Sequence, residues 1–149
     1  MINSYSEGKN SLFSLYSKDI NIYHYFCSMA RHNEIGKKGE DIAVNFLIEN
    51  GYAILCRNWK CQNAEIDIIA STGEFLVFVE VKTRSSDMWG LPEDAVSKQK
   101  MSQIIKGASL YIEENEVGDL EPRFDIISIV LDSKPINIEH IDDAFYPPL

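Results

Sequence analysis

Apolar residues fall at helical spacing from Ile35 onward: Ile35, Ile42, Ala43, Phe46 and Leu47 share one stripe, and Asn50-Gly51 supplies a stop. The pattern predicts a helix over residues 33–50 with Asn33 as its N-cap. The period then changes. Residues 52–59, 64–71 and 75–82 are rich in β-branched and aromatic side chains and bounded by turn formers, predicting three strands, the last two joined at Thr72-Gly73. Ile68-Ile69 and the run from Phe75 to Val79 are apolar at consecutive positions, as in a sheet covered on both faces. After a loop over residues 84–92, Ser97 is placed to cap a second helix. That helix carries Met101, Ile104, Ile105, Ala108, Leu110, Tyr111 and Ile112 and ends near Glu114. Strands over 123–131 and 136–141 complete an α-β-β-β-α-β-β order. The expected fold is therefore α/β, with a mixed central sheet and helices on both faces. Residues 1–28 follow neither period and are expected to form a poorly ordered N-terminal extension to a single domain over 29–149. The alternatives are an arm packing through Tyr23, Tyr25 and Phe26, or a start codon upstream of a true one at Met29.

Composition narrows the class. With 149 residues and 45% hydrophobic content, the chain can bury roughly 68–70% of its unfolded surface and needs no disulfide or structural metal. Cys27, Cys56 and Cys61 and the scattered His24, His32 and His140 lack zinc-site spacing, so the cysteines read as free thiols. No apolar run approaches the roughly 20 residues of a membrane span, and no basic segment precedes an apolar core near the N-terminus. A cytoplasmic protein without membrane contact is expected. The net charge of −9 argues against coating nucleic acid by bulk attraction, but the charge is uneven. Residues 107–149 carry ten acids against two bases, whereas residues 31–106 carry ten bases against eleven acids, leaving room for a locally positive surface.

The chemistry lies where charged residues interrupt apolar strands: Glu65 and Asp67, then Glu80, Lys82 and Arg84. A two-residue turn at Thr72-Gly73 sets Glu65 opposite Glu80 and Asp67 opposite Phe78, so that Glu65, Asp67, Glu80 and Lys82 share one face. Asp67 and Glu80 would then be diagonal neighbours, about 7–8 Å apart at the backbone. Three carboxylates facing one lysine repel one another unless compensated. A divalent cation, Mg2+ or Mn2+, would compensate; so would a plain lattice of ion pairs with Lys82, Arg84 and Arg57. Glu40, at the edge of the first helix's apolar stripe, can add a further carboxylate. Gly36 and Gly39 flank Lys37 and Lys38 at the predicted helix start, where free N–H groups could receive a phosphate.

The series Glu40, Asp67, Glu80-Val81-Lys82 resembles the PD-(D/E)XK nuclease superfamily, the restriction-endonuclease-like fold. More narrowly, several ordered motifs resemble the YraN-like family of uncharacterised bacterial proteins over about residues 29–145. They are Gly36-Lys-Lys-Gly-Glu40, Gly51-Tyr52, Arg57-Asn58-Trp59, Glu65-Ile-Asp67-Ile-Ile-Ala70, Val79-Glu-Val-Lys-Thr-Arg84 and Arg123-Phe-Asp125. The resemblance implies that Asp67 and Glu80, with the Val81 carbonyl, hold a catalytic Mg2+ or Mn2+. It further implies that Lys82 orients or deprotonates the attacking water and that Glu40 assists metal binding. Arg57 is similar to an arginine that archaeal Holliday-junction resolvases of this superfamily place near the scissile phosphate. Two positions depart from the pattern: Ile66 replaces the proline of the motif, and Ala64 replaces a glycine common in the family.

These readings converge on a metal-dependent nuclease. Arg57, Arg84, Lys37, Lys38, Lys98 and Lys100 are the candidate phosphate contacts. No helix rich in Arg, Asn and Gln is available to read base edges, so the expected partner is branched or processed DNA, as in repair or recombination. Cutting both strands of a junction would call for a homodimer. The alternatives are a non-catalytic nucleic-acid-binding or assembly module on the same fold, and a structural fold whose carboxylates are neutralised by Arg57, Lys82 and Arg84.

Overall fold

A computed structural model of the chain describes residues 33–85 and 96–147. The expected extension over residues 1–28, Cys27, Trp89 and most of the predicted loop at 84–92 lie outside the described residues. The element order is α1 (33–49), β1 (Ala53–Cys61), β2 (Ala64–Thr72), β3 (Phe75–Arg84), α2 (Lys98–Glu114), β4 (Glu121–Val130) and β5 (Asn137–Ile141). One five-stranded sheet runs β1-β2-β3-β4-β5, parallel between β3 and β4 and antiparallel elsewhere. The α/β architecture with a mixed sheet is therefore as the hydrophobic pattern predicts.

The apolar stripes separate onto two faces. Ala43, Val44 and Leu47 of α1 pack on Ile68, Ala70, Val77, Val79, Ile127 and Ile129. On the other face, Ile104, Ala108 and Tyr111 of α2 pack on Ile66, Ile69, Leu76, Phe78, Phe124, Ile126 and Phe145. Burial on both sides explains why β2 and β3 read as continuous apolar runs. Trp59 is packing material here, its ring meeting Tyr111 edge-on at 5.7 Å between centroids.

Both helices end and begin by recognisable local chemistry. Gly51, at φ 85°, closes α1, with its N–H donating to the Ile48 carbonyl and Tyr52 N–H to that of Leu47. Ser97 caps α2, its hydroxyl accepting the Lys100 N–H at 3.2 Å. Asn33 is itself helical rather than the cap. Gly36 to Gly39 therefore lie inside α1, where the N–H groups from residue 37 onward belong to the helical ladder. The donors expected at Lys37, Lys38 and Gly39 are thus committed to the helix. Gly39 serves instead to bring α1 onto the sheet: it is buried, and a Cβ at this position would overlap the Thr83 hydroxyl and lie 2.8 Å from Thr83 Cβ.

The register corrects the predicted turn. Thr72 pairs with Phe75 and Ile68 with Val79, so the β2–β3 turn is Gly73-Glu74 and not Thr72-Gly73. Continued one step, this register sets Asp67 level with Glu80 rather than diagonal to it. Pairing stops at Ile68 and Val79, however, and the two strands part beyond that point. Among the described residues, no helix is long and apolar enough to cross a membrane.

Candidate functional site

The site forms where β2 and β3 part, because alternation breaks there. Ile66 and Ile69, three apart, both pack toward α2, and so do Cys56 and Trp59 on β1. Between them, Asn58 adopts φ 50° next to the pairs Arg57↔Ile68 and Trp59↔Ile66. The kink crosses both strands at Asn58 and Asp67. It frees the Asp67 carboxylate to accept the Val81 N–H at 2.8 Å, standing in for a strand partner.

Glu80 continues the Leu76 and Phe78 side of β3 and faces α2. It is only 2% exposed. Lys82 Nζ lies 2.7 Å from Glu80 Oε1 and Lys100 Nζ lies 3.1 Å from Oε2. The second contact is an ion pair without hydrogen-bond alignment, so Oε2 is buried with no directed donor. Lys100 Nζ also donates to the Glu65 carbonyl at 3.3 Å. Glu65 itself does not join the cluster. Because of the kink at Asp67 its side chain leaves the Glu80 face and pairs with Lys60 at 2.9 Å, which raises the Lys60 pKa. The expectation that Glu65 and Glu80 share a face thus fails for a local backbone reason.

Burial, and next the negative charge of Glu80, push Asp67 up to about 7; the Val81 N–H and Lys100 oppose this, and Glu40 adds to it. Glu40 is therefore close enough to act on Asp67 electrostatically, as its place on α1 suggested. Arg57 forms an exposed ion pair, its guanidinium 2.5 Å from Asp41 Oδ1. Lys37, Lys38 and Lys98 are exposed, and Arg84 is half-buried. Lys100 is the main addition to the expected site: the sequence reading offered it only as a phosphate contact. Its signal was its place in the first turn after the Ser97 cap. Among the described residues, no three His, Cys, Asp or Glu side chains gather closely enough to hold a metal by themselves. Asp67 and Glu80 form a pair rather than a triad.

The raised Asp67 pKa has a stability consequence of definite sign. A carboxyl whose folded pKa exceeds its unfolded one supports the fold fully below about pH 4 and loses that support as pH rises through about 7. In metal-free buffer, the stability difference between wild type and Asp67→Asn should move toward the variant by about 1–3 kcal/mol from pH 4 to pH 8. Urea denaturation across that range measures it. A difference independent of pH would refute the assignment.

A second polar cluster is buried on the α1 side. Asp125 is fully buried and accepts four donors: Arg123 Nε and the Asp143 N–H on Oδ1, each at 3.0 Å, and Arg123 Nη2 and His140 Nε2 on Oδ2, each at 2.8 Å. Burial alone would raise its pKa, but the bonds from His140, Arg123 and the Asp143 N–H outweigh it and hold the carboxyl below the usual range. Arg123 also donates to the Tyr52 hydroxyl at 2.8 Å and lies over the Phe75 ring at 5.0 Å. With its bonds satisfied within the fold, this cluster fastens β4 to β5 and to the start of β1. In the sequence, Arg123 and Asp125 stand out only as the ends of the Arg123-Phe-Asp125 motif, and nothing local points to Tyr52 or His140 as their partners.

Residues 39–129 match the family described as "Uncharacterised protein family UPF0102". A UPF0102 protein of Phocaeicola vulgatus is 48% identical over 121 residues, covering 81% of this chain and 99% of the relative. One of Flavobacterium psychrophilum is 51% identical over 118 residues, covering 79% and 98%. Another, from Parabacteroides distasonis, is 42% identical over 120 residues, covering 80% and 98%. With nearly the full length of each relative matched, the chain belongs to the UPF0102 family, the YraN-like proteins that its motifs resemble.

Proposed function

We propose that this protein is a metal-dependent nuclease that hydrolyses DNA phosphodiester bonds and selects its substrate by structure rather than by base sequence. The observation that carries this reading is the pair of carboxylates, Asp67 and Glu80, at the point where β2 and β3 part. An apolar sheet does not gain stability from two such acids side by side. The donor set suits a hard divalent ion. Glu80 Oε2 is buried without a directed donor and Asp67 is pushed up by its burial and then by the charge of Glu80, and a dication would relieve both. Asp67 and Glu80, with the Val81 carbonyl, would hold Mg2+ or Mn2+, which commonly takes one or two carboxylates and completes its shell with water and phosphate. When bound, such an ion polarises the phosphoryl group and lowers the pKa of a coordinated water.

The protein's own groups supply the remainder. Lys82 keeps a positive charge beside the carboxylates, where phosphoryl charge builds up during displacement. Glu40 strengthens the negative potential that attracts the cation. Lys37, Lys38 and Lys98, with Arg57 and Arg84, would contact flanking phosphates, which positions a duplex without reading it. Branched or processed DNA is the corresponding substrate class, with repair or recombination the setting.

A second reading, a non-catalytic nucleic-acid-binding or assembly module, is favoured by one observation: Lys82 and Lys100 already neutralise Glu80. One experiment separates the two. Labelled four-way-junction, flap, single-stranded and linear DNA are incubated with the full-length protein in Mg2+ or Mn2+, beside Glu80→Gln. The nuclease reading expects cleavage of branched forms that requires the metal and Glu80. Binding without cleavage of any form, by folded protein, would overturn it in favour of the module.

A further inference from the structure

Glu80 rests on two ammonium groups, of which Lys82, two residues along the same strand, suffices to balance one carboxylate. The second comes from another element. Lys100 Nζ sits between Glu80 Oε2 at 3.1 Å and the Glu65 carbonyl at 3.3 Å, two oxygens from different strands. We propose that Lys100 is a tethered counter-cation holding the place of the divalent ion between β2 and β3, so that the metal binds by displacing it. This inference rests on the metal-dependent reading above.

Several features support it. The oxygens that Lys100 touches are hard donors of the kind a divalent ion takes. Its hold on Glu80 is electrostatic and lacks hydrogen-bond alignment, so no directed bond to Glu80 has to be broken for the ammonium to leave. Finally, its backbone is fixed at the first turn of α2 by Ser97, while its side chain is 26% exposed. A flexible four-carbon stem on a fixed base has a route to water. The charge balance also favours exchange. Both lysines lie on Glu80, whereas among the described residues Asp67 accepts the Val81 N–H, and a dication between the carboxylates would serve both.

Lys100 is thus a positioning residue, and its test reads metal binding rather than cleavage. Mn2+ is titrated into the metal-free full-length protein and the free ion is followed by electron paramagnetic resonance. Lys100→Met should bind Mn2+ at least about tenfold more tightly than wild type, or ~1.4 kcal/mol, while Lys106→Met on the exposed side of α2 is unchanged. The metal-free melting temperature of Lys100→Met should fall and recover with Mn2+. If Lys100→Met fails to fold, Lys100→Gln is titrated in its place. Equal or weaker binding by the variant, with Glu80-dependent binding in wild type, would overturn the placeholder role and leave the nuclease reading standing. Absence of Glu80-dependent binding in wild type and variant alike would overturn both.

Discussion

Cleavage by Glu80→Gln is expected to fall about a thousandfold or more below wild type in saturating Mg2+, with the fold intact. Glutamine keeps the shape of the side chain and removes its charge, leaving Asp67 as the only acid of the pair. The two ammonium groups that rested on Glu80 then repel an incoming cation instead of sharing a carboxylate with it. Their side chains are 32% and 26% exposed, so both can turn toward water. The stability cost should therefore stay near 1–2 kcal/mol, below the penalty for stranding a fully buried charge. Single-turnover cleavage of the best DNA substrate, beside a melting curve, tests both halves. An active Glu80→Gln protein would show that the buried carboxylate is not part of the reacting site. Collapse of the fold would instead make Glu80 a structural counter-charge.

Asp125→Ala is expected to cost about 3–5 kcal/mol of folding stability, enough to leave many domains of this size largely unfolded. Four donors converge on that carboxylate, and alanine strands all of them at once. The worst affected is Arg123, whose side chain is 13% exposed and would retain only the Tyr52 hydroxyl and two aromatic faces. Asp125→Asn should lose less, since the amide oxygen can still accept. Chemical denaturation of both variants measures the difference, and a cost under 1 kcal/mol for Asp125→Ala would mean that the cluster relaxes into water. The sign of its pH dependence is opposite to that of Asp67. A depressed carboxyl pKa gives stability above the unfolded value that is lost as pH falls through the folded one.

Much of this was legible along the chain because burial on both faces of a sheet leaves an unmistakable run of apolar residues, and helical stripes survive exposure on one side. Strand β4 begins at Glu121, earlier than predicted, because Pro122 reads as a strand breaker; at the start of a strand the missing N–H is tolerated. Within the site, Asp67, Glu80 and Lys82 announced themselves as charges inside apolar strands. The kink at Asn58 and Asp67 did not, since alternation assumes a regular pleat and a positive φ at an asparagine carries no signature of its own. It is this kink that sends Glu65 away. Lys100 was invisible as a partner of Glu80 because its reach depends on how α2 lies on the sheet, and no local pattern encodes that.

The bare α-carbon of Gly39 acts as a spacer of zero thickness. It lets α1 settle directly on Thr83 at the end of β3, and the next residue is Glu40, whose charge acts on Asp67. The height of the helix above the sheet thus sets where the Glu40 charge stands relative to Asp67. A methyl at position 39 would meet Thr83 and lift α1 from the sheet without touching any atom that bears charge.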